Sequence, residues 1–202
     1  AGRGPVLGPM VYACAYSPES VDLSTRAFAD SKQLTAAQRD ALLLDIKKPD
    51  SQMGYAAEIM SAHFIGTHML GKNRISLNVL AQESTYRIIQ QVLDRGVKLT
   101  KVYVDTVGDS NSYQERLSRQ FPSLQFTVCP KADSLYPIVS AASIVAKTMR
   151  DAALTQAVQD CGLPVGTAVG TGYPADPHTK AWLRGALHRL WGLEPAGLAR
   201  FS

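Results

Sequence analysis

The hydrophobic period of the chain switches near its middle, from that of a helix to that of a strand. From Lys72 to Arg95 the apolar positions Ile75, Val79, Tyr86, Ile89 and Leu93 recur at helical spacing, and Gly96 supplies a C-terminal stop. Leu99 then leads into Val102-Tyr103-Val104-Asp105, a short run of the kind that forms strands of a parallel sheet. The order returns on a smaller scale. Ser112 to Phe121 reads as a helix, Pro122 breaks it, and Leu124 to Val128 reads as a strand. Helices alternating with strands in this way make crossover units, so the chain is expected to be an α/β protein.

The flanking segments are consistent with that class. Met10 to Tyr16 is an apolar run closed by Ser17-Pro18 and reads as a buried strand. Thr35 can cap a helix through Leu42, Leu43 and Ile46 that stops at Lys47-Lys48-Pro49, and Met53 to Met60 reads as a second strand. After Asp133 a helix is expected from Pro137 to Gln159, in which Ala141, Ala142, Ala146 and Ala153 permit close packing. Gly162 to Gly172 reads as a loop, and Thr179 to Trp191 as a last helix ending at Gly192.

With 202 residues, 46% of them apolar, the chain can bury one sizeable core, and a single domain over residues 1–202 is expected. Lys plus Arg is 21 and Asp plus Glu is 17, a net +4 that mildly favours an anionic partner. Cys14, Cys129 and Cys161 form no metal-ligand spacing and read as free thiols of a reducing compartment. No apolar run approaches the ~18 residues of a membrane span, and no leader pattern opens the chain, so a soluble protein without a membrane partner is expected. The tight Ala1-Gly2-Arg3-Gly4-Pro5 turn is expected to follow a further ordered element.

Asp105 and Asp133 each stand at or just beyond the C-terminal end of a strand, where open α/β sheets place their ligand sites. Neighbouring strands would make the two carboxylates converge, and a magnesium or manganese ion between them would relieve their repulsion through hard oxygen ligands. The bland alternatives are a strand-end turn residue for Asp105 and a helix cap for Asp133. The Gly2-Arg3-Gly4 turn offers bare backbone N–H groups beside one guanidinium that can pair with phosphate, although as a bare tripeptide it reads first as an ordinary turn. Ser31 and Lys32 could contact phosphates or form a plain surface pair. Lys131 could offset the charge of Asp133 or be solvated, and Tyr173 could stack on a base or sugar or anchor its loop. The four histidines show no zinc spacing, and no nucleophile elbow is present.

Taken together, several segments are similar to the type 2 ribonuclease H family, and to the catalytic A subunit of its eukaryotic three-subunit members. They are Ala1 to Tyr12, Asp30-Ser31-Lys32, Val104 to Gly108, Lys131-Ala132-Asp133 with Ser140 to Ser143, and Gly172-Tyr173-Pro174 with Asp176-Pro177. They occur in the family's order over nearly the whole chain.

The resemblance implies a ribonuclease H-like fold, a mixed central sheet flanked by helices with a helical C-terminal part. It implies a metal-dependent endonuclease, using Mg2+ or Mn2+, that hydrolyses the RNA strand of RNA–DNA hybrids. Such an enzyme also cuts 5′ of a single ribonucleotide in duplex DNA and leaves 3′-hydroxyl and 5′-phosphate ends. It further implies two accessory protein subunits and a nuclear location. Asp105 and Asp133 match the third and fourth of the family's four acids. Gly2, Arg3 and Gly4 match the turn that reads the ribose 2′-hydroxyl, Tyr173 the tyrosine at the RNA-to-DNA junction, and Ser31 and Lys32 a segment near the substrate backbone. The family's first two acids, an Asp-Glu pair, precede Ala-Gly-Arg-Gly, and with the first strand they are expected ahead of Ala1. The rival readings are a non-catalytic nucleic-acid-binding or scaffold subunit with an incomplete metal site, and an unrelated α/β enzyme of carbohydrate or nucleotide metabolism.

Overall fold

The structure, a computed structural model, describes residues 1–26, 28, 34–106, 108–164, 166–188, 192–193 and 196–200. Its backbone divides into two compact units, one of residues 12–58 and 82–148 and one of residues 1–11, 59–81 and 149–202.

The first of these, the sheet unit, holds most of strands β1 (Met10–Tyr16) and β2 (Gly54–Met60), which pair with each other, and the sequence places both correctly to within a residue. Helix α1 (Ala36–Lys47) lies between them in the chain. Thr35 caps it reciprocally: Gln38 N–H donates to Thr35 Oγ1 at 3.3 Å while Thr35 N–H donates to Gln38 Oε1 at 2.8 Å. Leu43 and Ile46 are its buried residues.

Helix α2 (Ala62–Leu70), which the periodicity does not announce, follows β2 and is started by Ser61, whose Oγ accepts from Phe64 N–H. Helix α3 (Leu77–Asp94) begins five residues later than expected, because Ser76 supplies the first side-chain acceptor, for Val79 N–H. Val79 is exposed rather than on the buried stripe, which runs through Ile88, Ile89 and Val92.

The anticipated crossover is present. Strands β3 (Lys101–Asp105) and β4 (Gln125–Cys129) are parallel, in register from Lys101 opposite Gln125 to Asp105 opposite Cys129. Helix α4 (Ser110–Gln120) connects them, and Asp109 caps it by accepting from the N–H groups of Asn111 and Ser112. Tyr113 and Leu117 of α4 pack with Ile89, Phe121, Leu124, Phe126 and Val128 in one cluster. Leu117 is fully buried, which contributes about 1.5–3 kcal/mol. A one-turn helix α5 (Ala132–Leu135) and the long helix α6 (Pro137–Asp160) follow, and Ala141, Ile144, Val145 and Ala146 form the buried side of α6.

The loop unit is built around Leu7, Leu154, Val158, Val169, Leu198 and Ala199, with Trp182 and Leu183 packed against them. Helix α7 (Pro177–Ala186) is capped by Asp176 and contributes Trp182 and Leu183. It does not reach Trp191 as the sequence suggests. Leu187 turns to an extended conformation, and β5 (Leu187–His188) pairs antiparallel with β6 (Gly192–Leu193), so ladder hydrogen bonds replace the final turn; Trp191 itself lies outside the described residues.

The fold is thus α/β, with parallel and antiparallel strand pairs, flanking helices and a helical C-terminal part. Among the described residues no helix is long and apolar enough to cross a membrane.

Candidate active site

Asp105 is the last residue of β3 and is exposed. Beyond the ladder Thr106 N–H still donates to Cys129 O at 3.3 Å, which carries the strand pairing one step past the carboxylate. After β4 the chain turns at Lys131, whose φ of +56° lies in the left-handed region. That conformation costs a lysine about 1–2 kcal/mol, and the surrounding bonds offset it. Ala132 N–H donates to Asp105 Oδ1 at 3.0 Å, Ser134 N–H to Lys131 O at 3.0 Å, and Tyr136 N–H to Ala132 O at 2.9 Å. The Tyr103 and Tyr136 rings lie 4.4 Å apart and join β3 to the end of α5.

The turn therefore brings Asp133 to the end of the strand pair that carries Asp105. Asp133 stands in the first turn of α5 and is buried, 8% exposed, while Lys131 holds the cap position and is exposed. The helix-cap alternative for Asp133 thus gives way to Lys131 at the cap position, with the Asp105 side chain accepting the first free N–H of α5. Both aspartates offer hard carboxylate oxygens, the donor chemistry that magnesium and manganese prefer. In donor chemistry they match such an ion. Among the described residues no group of three or more His, Cys, Asp or Glu is assembled around them.

A second group of expected residues is assembled inside the loop unit. Gly2 has φ +75°, and a Cβ there would stand 2.8 Å from Pro9 O, so the turn requires glycine. A Cβ on Gly4 would stand 3.4 Å from Cε1 of Tyr173, which places the turn against that ring. Arg3 is exposed, and its guanidinium donates to Asn78 Oδ1. Gly172, at φ +81°, accepts from Val6 N–H at 2.8 Å, linking the turn segment to the Tyr173 loop. Tyr173 is 42% exposed, so part of its ring is free to meet a ligand. Ser31 and Lys32 lie outside the described residues.

Sequence reasoning missed two residues of this group. Arg200 is buried, and it donates from Nε to Gly8 O at 2.6 Å and from Nη1 to Gly2 O at 2.5 Å. Arg150 is also buried, donates from Nη2 to Thr171 O at 2.6 Å, and sets its guanidinium 6.0 Å from the centre of the Tyr173 ring. A signal for Arg150 was legible: it falls four residues after Ala146 and four before Leu154, on the buried side of α6. Nothing local marks Arg200. Asp176 holds the loop by accepting from Thr171 N–H at 2.6 Å and His178 N–H at 2.9 Å, and these bonds, those from Thr171 foremost, hold its carboxyl down at about 2.

The family profile described as Ribonuclease HII matches residues 1–201. The chain is 47% identical over 205 residues to a protein of Arabidopsis thaliana named as the A subunit of ribonuclease H2, with 100% of the chain and 68% of that relative covered. A human protein of the same name is 45% identical over 209 residues, with 100% and 68% covered. The structure also resembles that of the ribonuclease H2 from Pyrococcus horikoshii OT3, with a TM-score of 0.75 at 32% identity, covering 92% of this chain and 82% of that one.

Proposed function

Because the chain belongs to the ribonuclease HII family, we propose that it hydrolyses the RNA strand of RNA–DNA hybrids and cuts 5′ of single ribonucleotides embedded in duplex DNA. Ribonuclease H-type endonuclease activity, phosphodiester hydrolysis, comes with the family itself. The observation that supports the finer reading is the Ala132 to Asp105 hydrogen bond, which draws the turn carrying Asp133 onto the end of β3.

In this reading Asp105 and Asp133 would hold Mg2+ or Mn2+ through their carboxylate oxygens. A bound ion of this kind supplies charge neutralisation at the scissile phosphate and a more acidic water. Lys131, exposed beside Asp133, offsets negative charge and meets the phosphate backbone. Arg3 pairs with a phosphate, and the backbone N–H groups of the Gly2-Arg3-Gly4 turn hydrogen-bond the ribose 2′-hydroxyl, the group that tells RNA from DNA. Tyr173 packs on the neighbouring deoxyribose, where a second hydroxyl would crowd the ring. Ser31 and Lys32 track the substrate backbone. Residues 1–202 serve one ribonuclease H-like catalytic domain, which works in the nucleus with two accessory subunits; both the plant and the human relative are named as one subunit of an enzyme, which supports a multi-subunit assembly.

The test is direct. The full-length protein, with Mg2+ or Mn2+, is given a DNA duplex containing one ribonucleotide and a uniform RNA–DNA hybrid. The expected products carry 3′-hydroxyl and 5′-phosphate ends, seen by ligation and phosphatase sensitivity, with the first duplex cut on the 5′ side of the ribonucleotide. Binding of both duplexes without cleavage in either metal would instead favour a binding or scaffold role.

A further inference from the structure

The two buried arginines of the loop unit are a costly way to fill a core. Two like charges lie close together, and burial first, then the charge of Arg150, pushes Arg200 down to about 10. Among the described residues, Arg150 Nε and Arg200 Nη2 have no hydrogen-bond partner. The carboxylate near Arg150, that of Asp151, stands 3.4 Å from Nη1 and is half exposed, so water screens it. An apolar side chain of similar volume would avoid these costs.

What the guanidiniums do instead is hold backbone. Arg200 fixes the carbonyls of Gly2 and Gly8, and Arg150 fixes that of Thr171. Arg150 also fills the space that side chains at two left-handed glycines would need: a Cβ on Gly2 would lie 3.4 Å from its Cγ, and one on Gly172 would lie 2.9 Å from its Nη2. It is therefore wedged between the Gly2-Arg3-Gly4 turn and the Thr171-Gly172-Tyr173 segment, with its guanidinium beside the tyrosine ring. A planar fork holds carbonyls at fixed angles, which an ammonium on a flexible stem does not.

We propose that Arg150 and Arg200 are positioning residues that fix the Gly2-Arg3-Gly4 turn and the Tyr173 ring relative to each other, so that the two read one ribonucleotide as a unit. This rests on the reading of that turn and ring given above. Neither arginine touches the reacting phosphate; each acts through the backbone or ring it holds.

The experiment uses the full-length protein with Arg150→Lys and Arg200→Lys, which keep the charge and lose the fork, alongside Arg150→Met and Arg200→Met. For each, kcat and KM are measured on the lone-ribonucleotide duplex and on a uniform hybrid, together with the thermal midpoint. The lysine variants are expected to lower kcat/KM on the lone ribonucleotide by roughly tenfold, the size of one coupled interaction, and to lower hybrid cleavage distinctly less. In a Tyr173→Ala background Arg150→Lys should add little further change in the substrate ratio. Equal losses on both substrates, an unchanged ratio, or lysine variants that fail to fold would each overturn the proposal, since a structural role alone would then suffice. Should Tyr173→Ala leave the ratio unchanged while the arginine variants shift it, the tyrosine's junction role fails and the positioning of the Gly2-Arg3-Gly4 turn stands.

Discussion

The main-chain N–H of Ala132 donates to Oδ1 of Asp105 at 3.0 Å, so the residue next to Asp133 is tied to the carboxylate at the end of β3. One oxygen of Asp105 organises the turn after β4, and the left-handed Lys131 lets the chain double back to make that bond.

Removing the acceptor should release the turn. Asp105→Ala is expected to destabilise the fold by about 1–3 kcal/mol, the usual cost of deleting a hydrogen bond to a charged group. Asp105→Asn keeps a carbonyl oxygen for Ala132 N–H and should lose much less. Urea unfolding of both variants checks this, and equal midpoints would show that the bond adds nothing to the turn.

The Tyr173 ring, 42% exposed and backed by Gly4 and Arg150, should matter most where junction reading matters most. Tyr173→Ala is expected to cost about 1–3 kcal/mol of transition-state binding at a lone ribonucleotide. On a long hybrid, where other contacts share the binding, it should cost less. Comparing kcat/KM on the two duplexes decides it. A small and equal loss on both would leave the ring as a loop anchor.

Two glycines with nearly the same backbone separate conformational cost from steric cost. Gly96 has φ +80° and open space where a Cβ would go, so Gly96→Ala should cost only the left-handed penalty, about 1–2 kcal/mol. Gly172 has φ +81°, but a Cβ there would stand 2.7 Å from Leu7 O, so Gly172→Ala should destabilise clearly more. Denaturant midpoints that rank the two variants the other way would contradict the packing described for the Tyr173 loop.

Much of the fold was legible because its signals are local. Met10–Tyr16 was readable to the residue, the Thr35 cap from one side chain, and the parallel β3–β4 pair from helix and strand periods in alternation. Helix α2 was hidden because His63, Gly66 and His68 interrupt its apolar pattern. The two-residue strands β5 and β6 were hidden because their pairing is set by a partner and not by their own sequence. That Asp105 ends a strand was readable from position, whereas the Ala132 bond to Asp105 depends on the left-handed Lys131. Arg150 and Arg200 were missed because arginine is seldom buried, so composition argues against such a place.

Acid should loosen the Tyr173 loop through Asp176. Its hydrogen bonds hold the folded-state value at about 2, below the ordinary 3.8. A depressed carboxyl value stabilises the fold above the ordinary value, and that contribution is lost as the pH falls from about 4 towards 2. Asp176→Asn should therefore show a shallower loss of stability across that window than the unsubstituted protein. Superimposable stability profiles would mean that the Asp176 bonds to Thr171 and His178 do not persist in solution.

Hydrolysis is expected to depend on a metal ion held by Asp105 and Asp133. Single-turnover cleavage against Mg2+ and Mn2+ concentration, with duplex affinity measured in parallel, decides this in the full-length protein and its Asp105→Asn and Asp133→Asn variants. Each substitution should reduce cleavage by orders of magnitude and change duplex binding far less, because metal ligation counts most where charge develops on the phosphate. Near-normal cleavage in either variant, or losses of binding that match the losses of turnover, would mean that these aspartates do not hold the ion.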